Sequence, residues 1–172
     1  MAGFKLVEEE VELPDGRRVK VRAVRHPGAV AVVPVDDDGK VVLIKQYRPT
    51  IGDWLIEIPA GNLEPGESPE ECAKRELLEE AGVEAGELRK VMELYLAPGY
   101  SDEVLHVFVA KRLSFKEARP TEEELLEVVH VGLEDAVKMV MKGEVRDAKT
   151  VASLLHLAFI QGALSYLAAL RQ

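Results

Sequence analysis

Three glutamates, Glu76, Glu79 and Glu80, stand at positions i, i+3 and i+4 of the segment 69–81. On a helix they project from one face, within an arc of about 100°. Their neighbours Glu70 and Glu71 have Lys74 and Arg75 four residues on, the ordinary pairing of a solvated helix. Glu76 is instead followed at that spacing by Glu80, and Glu80 by Glu84. Like charges so placed destabilise a helix by about 0.2–0.5 kcal/mol per pair. A divalent cation relieves that repulsion, and a donor set made only of oxygen suits Mg²⁺ or Mn²⁺. In a chain with 31 acidic residues, three glutamates alone read as a solvated acidic face. The residues that frame them have to decide.

Ser68 opens the helix as its N-cap, with Pro69 at the first position and Glu71 completing a capping box; Gly82 ends it. Residues 61–67 (GNLEPGE) before it read as loop. Upstream, 4–25 alternates apolar and polar residues around the turn Pro14-Asp15-Gly16, which predicts a hairpin. Gly28–Val35 and Val41–Tyr47 are apolar runs that read as adjacent central strands, and Trp54–Ile58 as a shorter one. Strands are expected at about 88–96, 103–112 and 126–132, then helices at about 133–142 and 147–169, the last capped by Asp147. Strands, one helix, more strands and two terminal helices predict an α/β (α+β) chain with a mixed β-sheet and helices on its faces.

Taken as one unit, 61–83 runs Gly61, five residues, Glu67, seven residues, then Arg75-Glu76-Leu77-Leu78-Glu79-Glu80-Ala81-Gly82-Val83. It resembles, at every defined position, the Nudix box G-x5-E-x7-R-E-U-x-E-E-x-G-U, where U is aliphatic. Seven fixed letters and two aliphatic positions coincide by chance on the order of once in 10⁷ chains, or about tenfold more often at this Glu content. The pattern has legible physical reasons. Glycines at 61 and 66 permit a tight loop, Glu67 and Arg75 can pair across the loop–helix junction, and Leu77 and Val83 face the core. The resemblance implies a Nudix-type α/β/α sandwich over 28–172, with the N-terminal strands of 1–27 as a dimerisation element. It also implies Mg²⁺ (or Mn²⁺), two or three ions, held by Glu76, Glu79, Glu80 and the Ala60 carbonyl. Those ions bridge a diphosphate and activate water.

Other stretches resemble the ADP-ribose pyrophosphatases within that family. They are Trp54-Leu55-Ile56-Glu57-Ile58-Pro59-Ala60-Gly61, Gln46-Tyr47-Arg48-Pro49, Ala97-Pro98-Gly99-Tyr100-Ser101-Asp102-Glu103 and Gly143–Thr150. This likeness implies that Arg48 holds phosphates, that Tyr47 and Trp54 offer aromatic surfaces, and that Glu57, Arg75 and Glu103 serve the substrate. Glu79 and Glu103 also have catalytic roles by this likeness, Glu103 towards the terminal ribose or the attacking water. Thr121–Glu127 (TEEELLE), by itself a charged loop, matches the group's glutamate-bearing loop, with Glu122 as base and Glu124 as metal ligand. Glu123 can exchange roles with either. The implied reaction is hydrolysis of ADP-ribose to AMP and ribose 5-phosphate. Other ADP-sugars or nucleoside diphosphate derivatives are the alternative within the class, and a nucleotide-sensing module that binds without cleaving is the alternative outside it.

Composition narrows the field. The 172 residues are 47% hydrophobic and 31% charged, enough for a packed core. With 22 basic against 31 acidic residues the net charge is −9, which argues against nucleic acid as a partner. Cys72 is the only cysteine, so no intrachain disulfide forms, and it reads as a small buried apolar residue. His26, His106, His130 and His156 show no metal-ligand spacing. The acidic, alternating N-terminus is unlike a signal peptide, so a cytoplasmic location is expected. Residues 151–170 carry no charge, but His156, Gln161 and Ser165 interrupt them; a core or dimer-interface helix is expected rather than a membrane span.

Overall fold

The computed structural model describes residues 3–118, 125–160 and 162. The N-terminal alternation folds as an antiparallel hairpin of β1 (Lys5–Glu12) and β2 (Arg18–Arg25), in a two-stranded sheet of its own. It joins the body through a bridge between Val24 and Ser101 and the hydrogen bond from Val24 N to the Tyr100 carbonyl, 2.7 Å.

The body holds two further sheets. One has the order β6 (Ala60–Asn62), β3 (Ala29–Pro34), β8 (Val104–Phe115), β7 (Val83–Tyr95). In it β3 runs parallel to β8, while the β3–β6 and β7–β8 pairs are antiparallel, so the sheet is mixed. The other, wholly antiparallel, has β4 (Lys40–Arg48) between β5 (Asp53–Glu57) and β9 (Leu126–Gly132). The two apolar runs therefore do not form a hairpin with one another. Each is central in a different sheet; they are joined by the Val35–Val41 bridge, and their side chains share both halves of the core. The loop reading of 61–67 is corrected at its start, where Ala60–Asn62 pairs with β3; β7 begins at Val83, directly after the helix cap.

Burial on both faces of β3 shows the layering. Ala29, Ala31 and Val33 pack with Leu105, Val107 and Val109 against Leu133, Ala136 and Val137 of α2 (Leu133–Met141) and Leu154, Leu157 and Ala158 of α3 (Ala148–Ile160). The alternate residues Val30 and Val32 pack with Phe108 and Ala110 against Cys72, Ala73, Leu77 and Ala81 of α1 (Pro69–Ala81). Strands buried on both sides read as continuous apolar runs, which explains GAVAVVPV. The result is the expected α/β/α sandwich, one helix on one side and two on the other. Residues 161–169 of the expected last helix lie, apart from Gly162, outside the described residues. Among the described residues no helix is long and apolar enough to cross a membrane.

Candidate active site

Helix α1 starts and stops where its sequence dictates. Ser68 Oγ accepts from Glu71 N, and the Glu71 carboxylate accepts from Ser68 N, 2.9 Å. Gly82 closes the helix at φ 62° and ψ 36°, with its amide on the Leu77 and Leu78 carbonyls. A β-carbon at that position would lie 2.6 Å from the Lys116 carbonyl oxygen, so the turn demands glycine twice over. Fixing the helix in register buries two charged side chains with its apolar ones: Glu76 is 8% and Glu80 2% exposed.

These carboxylates are held from two sides. Arg75 spans Glu67 with two bonds (Nε–Oε1 2.9 Å, Nη2–Oε2 3.0 Å) and reaches Glu76 at 2.7 Å and Glu79 at 3.1 Å. The same guanidinium donates to the Asn62 carbonyl, 3.2 Å. The Arg75 hydrogen bonds hold the Glu67 carboxyl far below its ordinary range, at about 2. On the other side, Ala60 N donates to Glu80 Oε2 at 2.8 Å, tying the base of the helix to β6. Gly61 follows Ala60, and its α-carbon faces the Glu76 carboxylate so closely that any β-carbon would overlap it.

A cavity of about 280 Å³ opens beside this junction, lined by Ala60, Gly61, Glu80, Arg48, Glu103 and Lys149, among others. Arg48, at the end of β4, is aimed by Glu57, which is 1% exposed and accepts two bonds from it at 2.7 Å each. Lys149 donates to the same Glu57 carboxylate and to Asp147 Oδ1, 3.0 Å. Burial opposes the charge on Glu57, yet the Arg48 hydrogen bonds and the Lys149 charge outweigh it and keep the carboxyl below its usual value. Arg48 is raised in turn, chiefly by Glu57, with Glu80 and Asp147 adding to the field.

The structure brings Arg48, Ala60, Glu80 and Glu103 to one cavity, with Glu76 against Gly61 at its edge. Glu57 lies behind Arg48, and Arg75 among the box carboxylates; neither lines the cavity wall. Glu79, on the helix turn beside them, is partly exposed. Tyr47 and Trp54 are cross-strand partners whose rings meet edge-on at 5.7 Å, with Lys45 Nζ 5.0 Å from the Trp54 ring; neither ring is part of the cavity lining. Glu122, Glu123 and Glu124 lie outside the described residues. Sequence reasoning missed Lys149 and Asn62. Asp147 was legible as the α3 cap, and it accepts from Thr150 N at 2.9 Å, but nothing local announced the ion pair beside it. Cys72 is buried, as expected.

The donor chemistry at the junction fits a hard cation: carboxylate oxygens of α1 beside the Ala60–Gly61 backbone, with glycine where a side chain would block them. Among the described residues no three His, Cys, Asp or Glu side chains form a ready-made cage. Arg75 engages Glu76 and Glu79, and the Ala60 amide engages Glu80.

An α/β/α sandwich whose first helix buries two carboxylates against a glycine-containing strand, beside a cavity lined by Arg48 and Lys149, offers a site for phosphate groups, and comparison with known proteins places it in a class of hydrolases. The NUDIX domain model matches residues 24–154, so the chain belongs to the Nudix family. It is 48% identical over 154 residues to an ADP-ribose pyrophosphatase of Bacillus subtilis, covering 88% of this chain and 83% of that protein. It is 40% identical over 155 residues to a methanol dehydrogenase activator of Bacillus methanolicus, covering 89% and 84%. A crystal structure of an ADP compounds hydrolase superposes with a TM-score of 0.76 at 26% identity, covering 95% of this chain and 88% of that one.

Proposed function

We propose that this Nudix pyrophosphohydrolase cleaves ADP-ribose at its diphosphate, giving AMP and ribose 5-phosphate. The observation that carries the reading is the meeting of the box residues Gly61 and Glu80 with Arg48 and Glu103 at one cavity. The similarity to an ADP-ribose pyrophosphatase over most of both chains supports the substrate.

Glu76, Glu79 and Glu80, the Ala60 carbonyl and Glu124 are the residues that would hold Mg²⁺, or Mn²⁺, as two or three ions. Bound there, the ions supply neutralisation of diphosphate charge and a more acidic water. Arg48, fixed by Glu57, binds phosphate oxygens with a guanidinium whose donors suit them. Glu103, on the same cavity, would reach the terminal ribose or the attacking water. The water oxygen bonds to phosphorus as the bridging P–O bond breaks, and its proton passes to a carboxylate, for which Glu122 is the candidate. A placed general base contributes roughly 10²–10⁴-fold. A cation would compete with Arg75 for Glu76 and Glu79, so Arg75 serves as an internal counter-charge.

Residues 1–27 are proposed as the dimerisation element of a cytoplasmic homodimer. The hairpin pairs mainly with itself and leaves Phe4 68% and Leu6 80% exposed. Sedimentation of the full chain beside a Phe4→Ser, Leu6→Ser variant tests this; an unchanged dimer in the variant, or a monomeric wild type, refutes it.

Product analysis with ADP-ribose and Mg²⁺, beside ADP-glucose, NADH and a nucleoside triphosphate, tests the substrate. Fast AMP release from ADP-ribose alone is expected. Equal rates on several ADP-sugars would withdraw the substrate name, and binding without turnover would make the chain a sensor.

A further inference from the structure

A lysine buried to 9% exposure is costly unless its charge is used. Lys149 sits in the first turn of α3 and sends its ammonium to two carboxylates, Glu57 of β5 and Asp147 before the helix. Docking of the helix on the strand does not need it. Ile58 N already donates to Thr150 Oγ1 at 2.9 Å, and Thr150 Oγ1 donates to Asp147 at 2.6 Å. Nor does a buried ion pair commend itself for stability, since desolvation offsets most of its attraction.

Lys149 reaches the cavity lining, and so does the third member of the cluster, Arg48. Glu57 Oε2 accepts from both Lys149 and Arg48 Nη2, while Oε1 accepts from Arg48 Nε. Glu57 is almost wholly buried, and 37% of the Arg48 side chain is open to solvent. Without Lys149 the Glu57 carboxylate would be held from one side only and could turn with the guanidinium it carries. With Lys149, both oxygens have fixed directions, and Arg48 is presented in a single orientation.

We propose that Lys149 is a positioning residue for substrate binding: by clamping Glu57 from the α3 side it fixes the Arg48 guanidinium in the cavity where a diphosphate is held. The proposal rests on the hydrolase reading above, and deepens it by adding α3 to the phosphate-binding wall.

The test is a double-mutant cycle on the full chain, read as kcat and KM for ADP-ribose with Mg²⁺. Lys149→Met is expected to raise KM about tenfold with kcat changed less than about threefold, because loss of a contact made equally in ground and transition states moves KM. Lys149→Arg, which keeps the charge, is expected to restore most of the affinity. In an Arg48→Gln background, Lys149→Met should add less than about twofold, since its effect runs through Arg48. Additive losses would place Lys149 on the substrate itself and overturn the proposal, as would an unchanged KM in Lys149→Met. Should Lys149→Met fail to fold, Glu57→Gln/Lys149→Met removes both buried charges together, and the same KM rise is expected of it; an unchanged KM there overturns the proposal equally. Calorimetric binding of a methylene-bridged ADP-ribose analogue reads the same contact without turnover. An absence of AMP release would then refute the hydrolase reading alone, while analogue affinities across the cycle still decide for or against Lys149.

Discussion

Gly61 of β6 and Glu76 of α1 meet as backbone against carboxylate, with no space between them for a methyl group. The contact joins two parts of the box that lie fifteen residues apart, and it places a strand end and a helix face at one edge of the cavity. The group that would have to yield is the tip of a flexible side chain, and Gly61 has no positive φ. Gly61→Ala should therefore fold but displace the Glu76 carboxylate. A turnover loss of about 10²-fold is expected from a misplacement of this size. Unchanged turnover would show that Glu76 need not lie where it does.

Glu80 is the most deeply buried of the three α1 carboxylates, 2% exposed and bonded to the Ala60 amide. Glu80→Gln keeps an oxygen for that amide and removes only the charge. Loss of turnover on the order of 10²–10³-fold is expected, with the cooperative unfolding transition retained. Normal steady-state rates on ADP-ribose would remove Glu80 from the metal site.

What could be read from sequence alone divides by distance along the chain. The α1 caps, the β1–β2 hairpin and the carboxylate face depend on neighbours within a few residues, and each is where the residue types put it. The partition of β3 and β4 into separate sheets depends on β3 pairing in parallel with β8, about seventy-five residues on, and no local signal encodes that. Glu57 illustrates the same limit within the site. It could be noticed as part of a motif, but its partner Lys149 lies 92 residues away and carries no motif of its own. Arg48 was recognisable; what aims it was not.

The Glu67–Arg75 pair makes box stability depend on pH in a defined direction. The Glu67 carboxyl titrates at about 2 in the folded chain against 4.5 for an unperturbed glutamate. A depressed folded value means the contribution is fully present above about pH 4.5 and is lost as pH falls from there towards 2. Allowing for solvent at the site, it is worth about 1–2 kcal/mol at neutral pH. Glu67→Gln should thus be less stable than wild type at pH 7, with the gap narrowing through pH 4 and 3. Urea midpoints at those three values check this; a gap that widens in acid would refute it.

Cys72 supplies a readout of the integrity of the same region. Its side chain is fully buried under the loop–helix junction, where Sγ donates to the Asn62 carbonyl at 3.4 Å and accepts from Arg75 Nη2 at 3.3 Å. Burial pushes the thiol up to about 12, against an opposing pull from Arg75, so almost none is thiolate at pH 8. Folded protein should leave a chromogenic disulfide reagent nearly untouched at that pH, and urea should release one thiol per chain. Glu67→Gln loosens the Arg75 anchor above the cysteine, so labelling of that variant should be faster than wild type under native conditions. Equal labelling rates would mean that the Arg75 network does not hold the junction closed over Cys72.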